Sequence, residues 1–430
     1  MQGRTNRICE LFASFFVGVG NGITTVLVTN LLLLYTGSTF FVGLAEGVPA
    51  LIPVLIAFPV GVLFDKTKSV AVRDLGLLLV LIALAFQSVC VMSFGLIFGF
   101  SGYWAIFGAL LVQNLGQGFL QGPVEALWQN SVRTGERSKW NNWKYVSGTA
   151  GSVAGPLLAI LLALSVHSND WSLPDLSLPW SLGCCASMVG YLFRVFVTEN
   201  DTLGLESDSA TEVYENSDAH KGRGRRFCGL GYDSVPYIQL STDIWYGIAS
   251  GMTIKFFPLW LADLGLTPIE LSAAVALQFL AISVFAILAK LVGNAFGRME
   301  AAFWSRCLGL CFMLLIIIGP SFFWNLKWLC AFLQIVRTGL MNASSGITRS
   351  VVNDFLPKDK RARWNALDQV VSFGWSASAL LGGFVLSELS FQYLFLITFL
   401  MQVVGLIPMF VLAKLVPKEE RSVALQITGV

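Results

Sequence analysis

Twelve apolar stretches alternate with short polar segments along the chain. Six lie at about 10–34, 38–64, 74–99, 103–128, 143–166 and 178–198; after a longer polar interval six more lie at about 237–263, 268–292, 301–323, 328–352, 365–387 and 392–414. A helix that crosses a bilayer needs roughly 20 predominantly apolar residues, and each stretch supplies about that number. The pattern therefore predicts an all-α transmembrane protein of twelve helices in two six-helix bundles. Residues 1–198 form the first bundle, 199–236 a central loop, 237–414 the second bundle and 415–430 a tail. The central interval is rich in Ser, Asp and Glu and closes on the basic run KGRGRR, with too few apolar residues to build a core of its own.

The charges sharpen this picture. Short loops that carry Lys and Arg stay in the cytoplasm. With an inside N-terminus, the inner face receives Arg4 and Arg7, then Lys66, Lys68 and Arg73, then Arg133, Arg137 and Lys139, then Lys221, Arg223, Arg225 and Arg226. The second half adds Arg298, then Lys358, Lys360, Arg361 and Arg363, then Lys414, Lys418 and Arg421, whereas the expected outer loops hold only Lys327. An odd number of spans would scramble this alternation, so both termini and the central loop are expected in the cytoplasm. The sequence opens on MQGRTNRICE and runs into the first apolar stretch without a small-residue cleavage site, which predicts that this stretch is kept as a helix. The membrane concerned is not encoded.

Composition agrees: 55% of the 430 residues are hydrophobic and 13% are charged, about half the charge of a soluble domain. The net charge of +2 gives no basic surface for nucleic acid. Two histidines, His167 and His220, fall in expected loops, which argues against a histidine-held metal or haem within the membrane. Eight cysteines without CxxC spacing read as reduced packing residues. No metal or cofactor is expected, apart from a possible coupling to protons or other ions. Tryptophans near the ends of the stretches (Trp104, Trp128, Trp180, Trp260, Trp324, Trp328) suit interface anchoring.

The halves are also related to each other. The loop after the fourth stretch reads GERSKWNNWKYV and the loop after the tenth reads DKRARWNALDQV; aligned on Trp140 and Trp364 they share an Arg, a small residue, a second cation, Trp and Asn. GVLFDKTKS from Gly61 has a weaker counterpart in GNAFGRMEA from Gly293.

A parallel repeat of six spans with a long central loop resembles the major facilitator superfamily, over roughly residues 10–414. Gly61, Leu63, Asp65 and Lys66 are similar to the start of that family's loop between helices two and three, although Lys68, Ser69 and Val70 depart from its continuation. The resemblance implies a gating role for Asp65, with a solvated loop acid beside Lys66 as the plain alternative. Gly151, Gly155 and Pro156 match the core of a motif used by the family's antiporters; close helix packing alone also explains the two glycines. The arginine that the family's helix four often carries is absent, and the register places Asn114, Gln117 and Gly118 there, which speaks against the usual route of proton antiport.

The polar residues inside the stretches nominate a site. Asn114, Gln117, Gln121 and Glu125 share one helix face, suited to a cavity or to a partner helix. Glu46, Asp243, Lys255 and Arg337 stand deep in their stretches, where each charge costs about 2.5 to 3.5 kcal/mol on insertion scales. These four, with Asn114, Gln117, Gln121, Asn21 and Tyr246, are the substrate or coupling candidates. Arg337 leads for anion or carboxylate binding, with a buried ion pair to Glu46 or Asp243 as the alternative. Glu125 and Arg349 occupy equivalent repeat positions and, with Asp65, Lys66, Arg137, Arg361, Arg363, Gly151, Gly155 and Pro156, form the gating set. The resulting expectation is a secondary transporter of a small organic solute working by alternating access, active as a monomer in the lipid bilayer. A non-transporting receptor, sensor or scaffold acting through the central loop is the second class, and no enzyme chemistry is legible.

Overall fold

A computed structural model of the chain describes residues 3–66, 69–93, 99–132, 137–167, 169–202, 227, 229–319, 322–355 and 361–416, with backbone alone at 57–58, 61–66, 69, 99–100, 137–139, 232, 350, 353–355, 361–370 and 372–373. Among the described residues the regular structure is helical. The first half holds α1 (Arg4–Thr36), α2 (Thr39–Lys66), α3 (Ser69–Met92), α4 (Gly99–Asn130), α5 (Arg137–Val166) and α6 (Leu173–Phe193). The second holds α7 (Val235–Ile254), α8 (Phe257–Asp263), α9 (Pro268–Phe296), α10 (Arg298–Ile318), α11 (Lys327–Asn342), α12 (Ser345–Phe355), α13 (Arg361–Glu388) and α14 (Phe391–Leu415).

These fourteen helices make twelve spans, because two spans are broken. The seventh is α7 plus α8, parted at Lys255 and Phe256. Pro258 explains the break: it cannot donate to the Ile254 carbonyl and its ring collides with that group, so α7 ends there and α8 takes the proline in its first turn. The tenth is α11 plus α12, parted at Ala343 and Ser344, where Ser344, Ser345 and Gly346 are poor helix formers. Among the described residues eight helices are individually long and apolar enough to cross a membrane; α4, α13 and the two broken spans complete the twelve.

Local chemistry sets several helix ends. Gly37 takes a left-handed conformation, φ 65°, and its N–H closes α1 on the Leu33 carbonyl. At the other end of α1 the Asp201 carboxylate accepts the N–H groups of Gly3 (3.1 Å) and Asn6 (2.9 Å), putting negative charge on the positive end of the helix. Thr267 and Glu270 cap α9 reciprocally, at 3.0 and 3.3 Å.

The chain divides into two compact units. The first comprises residues 1–220, 255–276 and 379–387, and the second 221–254, 277–378 and 388–430. Neighbour relations recur within them: in the first, α1 packs on α6, α3 on α4 and α3 on α6; in the second, the corresponding pairs are α7 on α14, α10 on α11 and α10 on α14. Glycine-lined crossings repeat as well. A β-carbon at Gly151 would collide with the Phe15 carbonyl of α1, and one at Gly155 with that of Val19, while Gly22 faces Pro156. In the second unit a β-carbon at Gly251 would collide with the Trp375 carbonyl of α13. First and fifth spans of each half thus meet backbone to backbone.

Three tryptophans expected at the interface are enclosed instead: Trp128, Trp180 and Trp260 are buried, whereas Trp104 and Trp328 are half exposed. Enclosure follows from neighbours that hydropathy cannot see; the Trp128 indole, for example, donates to Asn141 Oδ1 at 2.7 Å.

Candidate functional site

Polar side chains inside the helices gather in three clusters. The first lies in the second unit and joins α7, α10, α11 and α14. Arg337 is 3% exposed on α11 and its Nη2 stands 3.5 Å from Gln402 Oε1 of α14. The Gln402 amide nitrogen donates to Ser250 Oγ at 2.9 Å, and the Tyr246 hydroxyl donates to the Gln402 carbonyl at 2.9 Å. The Arg306 guanidinium lies 4.1 Å from the centroid of the Tyr246 ring and reaches Asp243 Oδ1 at 3.7 Å, while Gln239 Nε2 donates to the same oxygen at 2.8 Å. Three sequence candidates, Arg337, Tyr246 and Asp243, are therefore brought into one chain of contacts. Gln402, Arg306, Ser250 and Gln239 complete it and were not singled out by sequence. Arg306 had a usable signal, since it stands inside the ninth apolar stretch.

The second cluster lies in the first unit near the start of α1. Glu10 is 1% exposed and accepts from Arg194 through Nε (3.2 Å) and Nη2 (3.1 Å). Lys144 Nζ bridges Glu10 Oε1 (3.2 Å) and Glu125 Oε2 (3.0 Å). The guanidinium of Arg194 sits 5.3 Å from the Tyr191 ring, and the Tyr191 hydroxyl accepts from Gln117 Nε2 at 3.4 Å. Glu125 and Gln117, two members of the α4 stripe, are thus tied to a charge network whose central members, Glu10 and Arg194, sequence reasoning missed. Glu10 marks the first position of the expected stretch, but α1 starts a turn and a half earlier, so this carboxylate is well inside the helix.

The third cluster is the pair of Glu46 and Lys255, both in the first unit, with Nζ 2.7 Å from Oε2. Of the two acids expected as alternatives for Arg337, Glu46 stands 2.7 Å from Lys255 and Asp243 3.7 Å from Arg306.

The remaining candidates are scattered. Asn114 donates to the Leu110 carbonyl of its own helix at 2.9 Å, while Gln121 and Asn21 are exposed. Gln113, next to this stripe, accepts from the buried Gln87 at 2.7 Å. Arg349 is exposed on α12. Asp65, Lys66, Arg137, Arg361 and Arg363 have backbones in α2, α5 and α13, and their side chains lie outside the described residues.

Residues 244–428 match the family model described as Major Facilitator Superfamily. Among solved structures, the chain is similar to a bacterial homologue of the iron transporter ferroportin in an inward-facing state, at 14% identity with 95% of this chain and 98% of that one covered and a TM-score of 0.71. It is similar also to a bacterial homolog of the human lysosomal transporter Spinster (11% identity, 95% and 97% covered, TM-score 0.64) and to the nucleoside transporter NupG (14%, 95% and 99%, TM-score 0.62). No curated protein matches the sequence. At these identities the structures establish the fold, an all-α twelve-span architecture of an integral multi-pass membrane protein. The family model thus covers the C-terminal half, and the fold of these transporters extends over nearly the whole chain.

Proposed function

We propose that the protein is a secondary transporter that moves a small organic solute by alternating access, and that the cluster around Arg337 supplies solute contacts. The observation that carries this reading is a guanidinium buried about midway along a membrane-spanning helix, against the Gln402 side-chain amide, which Ser250 accepts from, while Tyr246 donates to the Gln402 main-chain carbonyl. Such a charge is costly among apolar helices and is typically kept for recognition or gating. An arginine presents a planar, permanently charged fork suited to a carboxylate, so an organic anion is the favoured class of solute. Asp243 beside Arg306 is the member of the cluster best placed to exchange a proton, should transport be coupled to one.

The same reading places both termini and the 199–236 loop in the cytoplasm, from the Lys and Arg alternation. It takes the protein to act as a monomer without cofactor, as a carrier and not an enzyme. Asp65, Lys66, Arg137, Arg349, Arg361 and Arg363 keep their proposed gating roles at the cytoplasmic ends, and Gly151, Gly155 and Pro156 theirs in the α1 and α5 crossing.

Flux of a panel of radiolabelled organic anions and neutral solutes into proteoliposomes, with and without a pH gradient, tests the proposal. Uptake of an anion that falls by more than about ten-fold in Arg337→Ala supports it. Uptake unchanged by that substitution removes Arg337 as a ligand, and indifference to the gradient removes proton coupling.

A further inference from the structure

Glu46 and Lys255 stand among the sequence candidates for solute binding, yet each already holds the other. The Glu46 side chain is 9% exposed, the Lys255 side chain 29%, and 2.7 Å separates Oε2 from Nζ. A charge-assisted contact this short leaves neither group disposed to take a solute. Around the pair, elements far apart in sequence close on one another at the end of the first unit where α1 turns into α2. A β-carbon at Gly43 of α2 would lie 2.8 Å from Gly383 Cα of α13, and Thr39 Oγ1 donates to the Gly383 carbonyl at 3.5 Å. Within the same unit Trp171 Nε1 donates to the Leu266 carbonyl at 2.8 Å, and Asn169 Oδ1 accepts from the Ile269 N–H at 3.1 Å, so the 255–276 segment is held from the first half at further points.

Lys255 occupies a particular place in the chain. It lies in the two-residue interruption between α7 and α8, and the same point divides residues of the two compact units, Ile254 falling in the second and Lys255 in the first. A cation on a helix break can move with a small change of backbone torsion, whereas one in mid-helix moves only with the whole rod. Its partner Glu46 sits about 10 Å along α2 at 1.5 Å per residue, in a helix that stays continuous from Thr39 to Lys66 through Pro49, Pro53 and Pro59. One side of the contact is therefore anchored and the other is jointed.

We propose that Glu46 and Lys255 are a latch: their ion pair holds the 255–276 segment closed on the start of α2, and its rupture belongs to the step that opens this end of the protein. The proposal rests on the alternating-access reading and assigns the two residues to gating, not to solute contact. A partly buried pair suits this use, because it is favourable only while both partners are present and dry, and water entering on opening rehydrates both charges. Neutralising either residue shifts the population toward the open form without touching the Arg337 cluster.

Hydrogen exchange measured on the full-length chain in lipid nanodiscs tests this. Relative to wild type, Glu46→Gln and Lys255→Met are expected to speed exchange in residues 255–276 by about ten-fold, a typical size for a conformational coupling. Peptides from α3 should be unchanged, and those of residues 345–352, at the expected cytoplasmic end of the tenth span, should slow, as the reciprocity of two-state opening requires. The charge-swapped Glu46→Lys with Lys255→Glu should restore the wild-type pattern. If a single substitution prevents folding, the double Glu46→Gln with Lys255→Met leaves no lone charge and must still show the fast exchange. Unchanged exchange in the neutral variants, or faster exchange confined to 255–276 without slowing at 345–352, overturns the latch. The readout needs no solute: reciprocal exchange in a protein that moves no compound of the panel would retain the latch and sink the transport reading, and flux with unaltered exchange would do the reverse.

Discussion

Arg194 forks onto Glu10 with two nitrogens, Nε and Nη2, on the two carboxylate oxygens, so a residue just past α6 clamps the second turn of α1. Lys144 supplies a second cation to the same carboxylate. Glu10 thus ties both α5 and the end of α6 to α1. Replacing it by Gln takes the carboxylate from the Arg194 guanidinium and leaves Lys144 with Glu125, and a loss of about 3 kcal/mol is expected. Thermal unfolding of the purified protein in detergent measures it; a melting temperature within a degree of wild type would contradict the assignment.

The crossing of α1 and α5 has no room for side chains at Gly151 or Gly155. Gly151→Leu should separate the two backbones at a cost of about 3 kcal/mol or more, seen as loss of monodisperse protein in size-exclusion chromatography. Gly108→Ala, at a glycine with open space around it, serves as the control and should behave as wild type.

Tyr246→Phe removes one donor to the Gln402 carbonyl while keeping the ring that faces Arg306. The expected stability change is small, about 0.6 kcal/mol, as for a single hydrogen bond between membrane helices. Gln402→Leu takes away the contacts to both Ser250 and Arg337 and should cost more, about 2 kcal/mol. Equal melting curves for the two variants would show that the Gln402 side chain does not organise the cluster.

At the start of α1, Asp201→Ala frees two helix N–H groups and removes the anion from the helix end. A local loss of about 1 kcal/mol follows. Faster amide exchange confined to residues 3–10 is the expected sign, and unchanged protection there would argue that the Asn6 contacts to Ser131 and Thr198 suffice.

How much of this could be read from the sequence depends on the physics each feature obeys. Lipid imposes a one-dimensional rule on every span, so the twelve stretches and the repeat around Trp140 and Trp364 were visible. What hydropathy delimits is the apolar run, not the helix: α1 begins at Arg4, six residues before the run, and this is why Glu10 looked like a boundary residue. Pairings are long-range. Nothing local to Glu46 announces Lys255, more than two hundred positions later, and the approach of Arg306 to Asp243 follows from α7 and α10 both packing on α14. Pro258, by contrast, marked the break in the seventh span in plain view; reading the span as one continuous helix overlooked a rule that needed no structure.

That break bears on how mechanical work could be distributed in the protein. Glycine-lined crossings such as those at Gly155 and Gly251 make stiff joints, because their backbones touch and nothing between them can compress. The two-residue turn at Lys255 and Phe256 is compliant by comparison, with Phe256 fully enclosed as a pivot. Bending is then cheapest where the chain carries its charge, and elastic strain and electrostatic attraction act on the same residue.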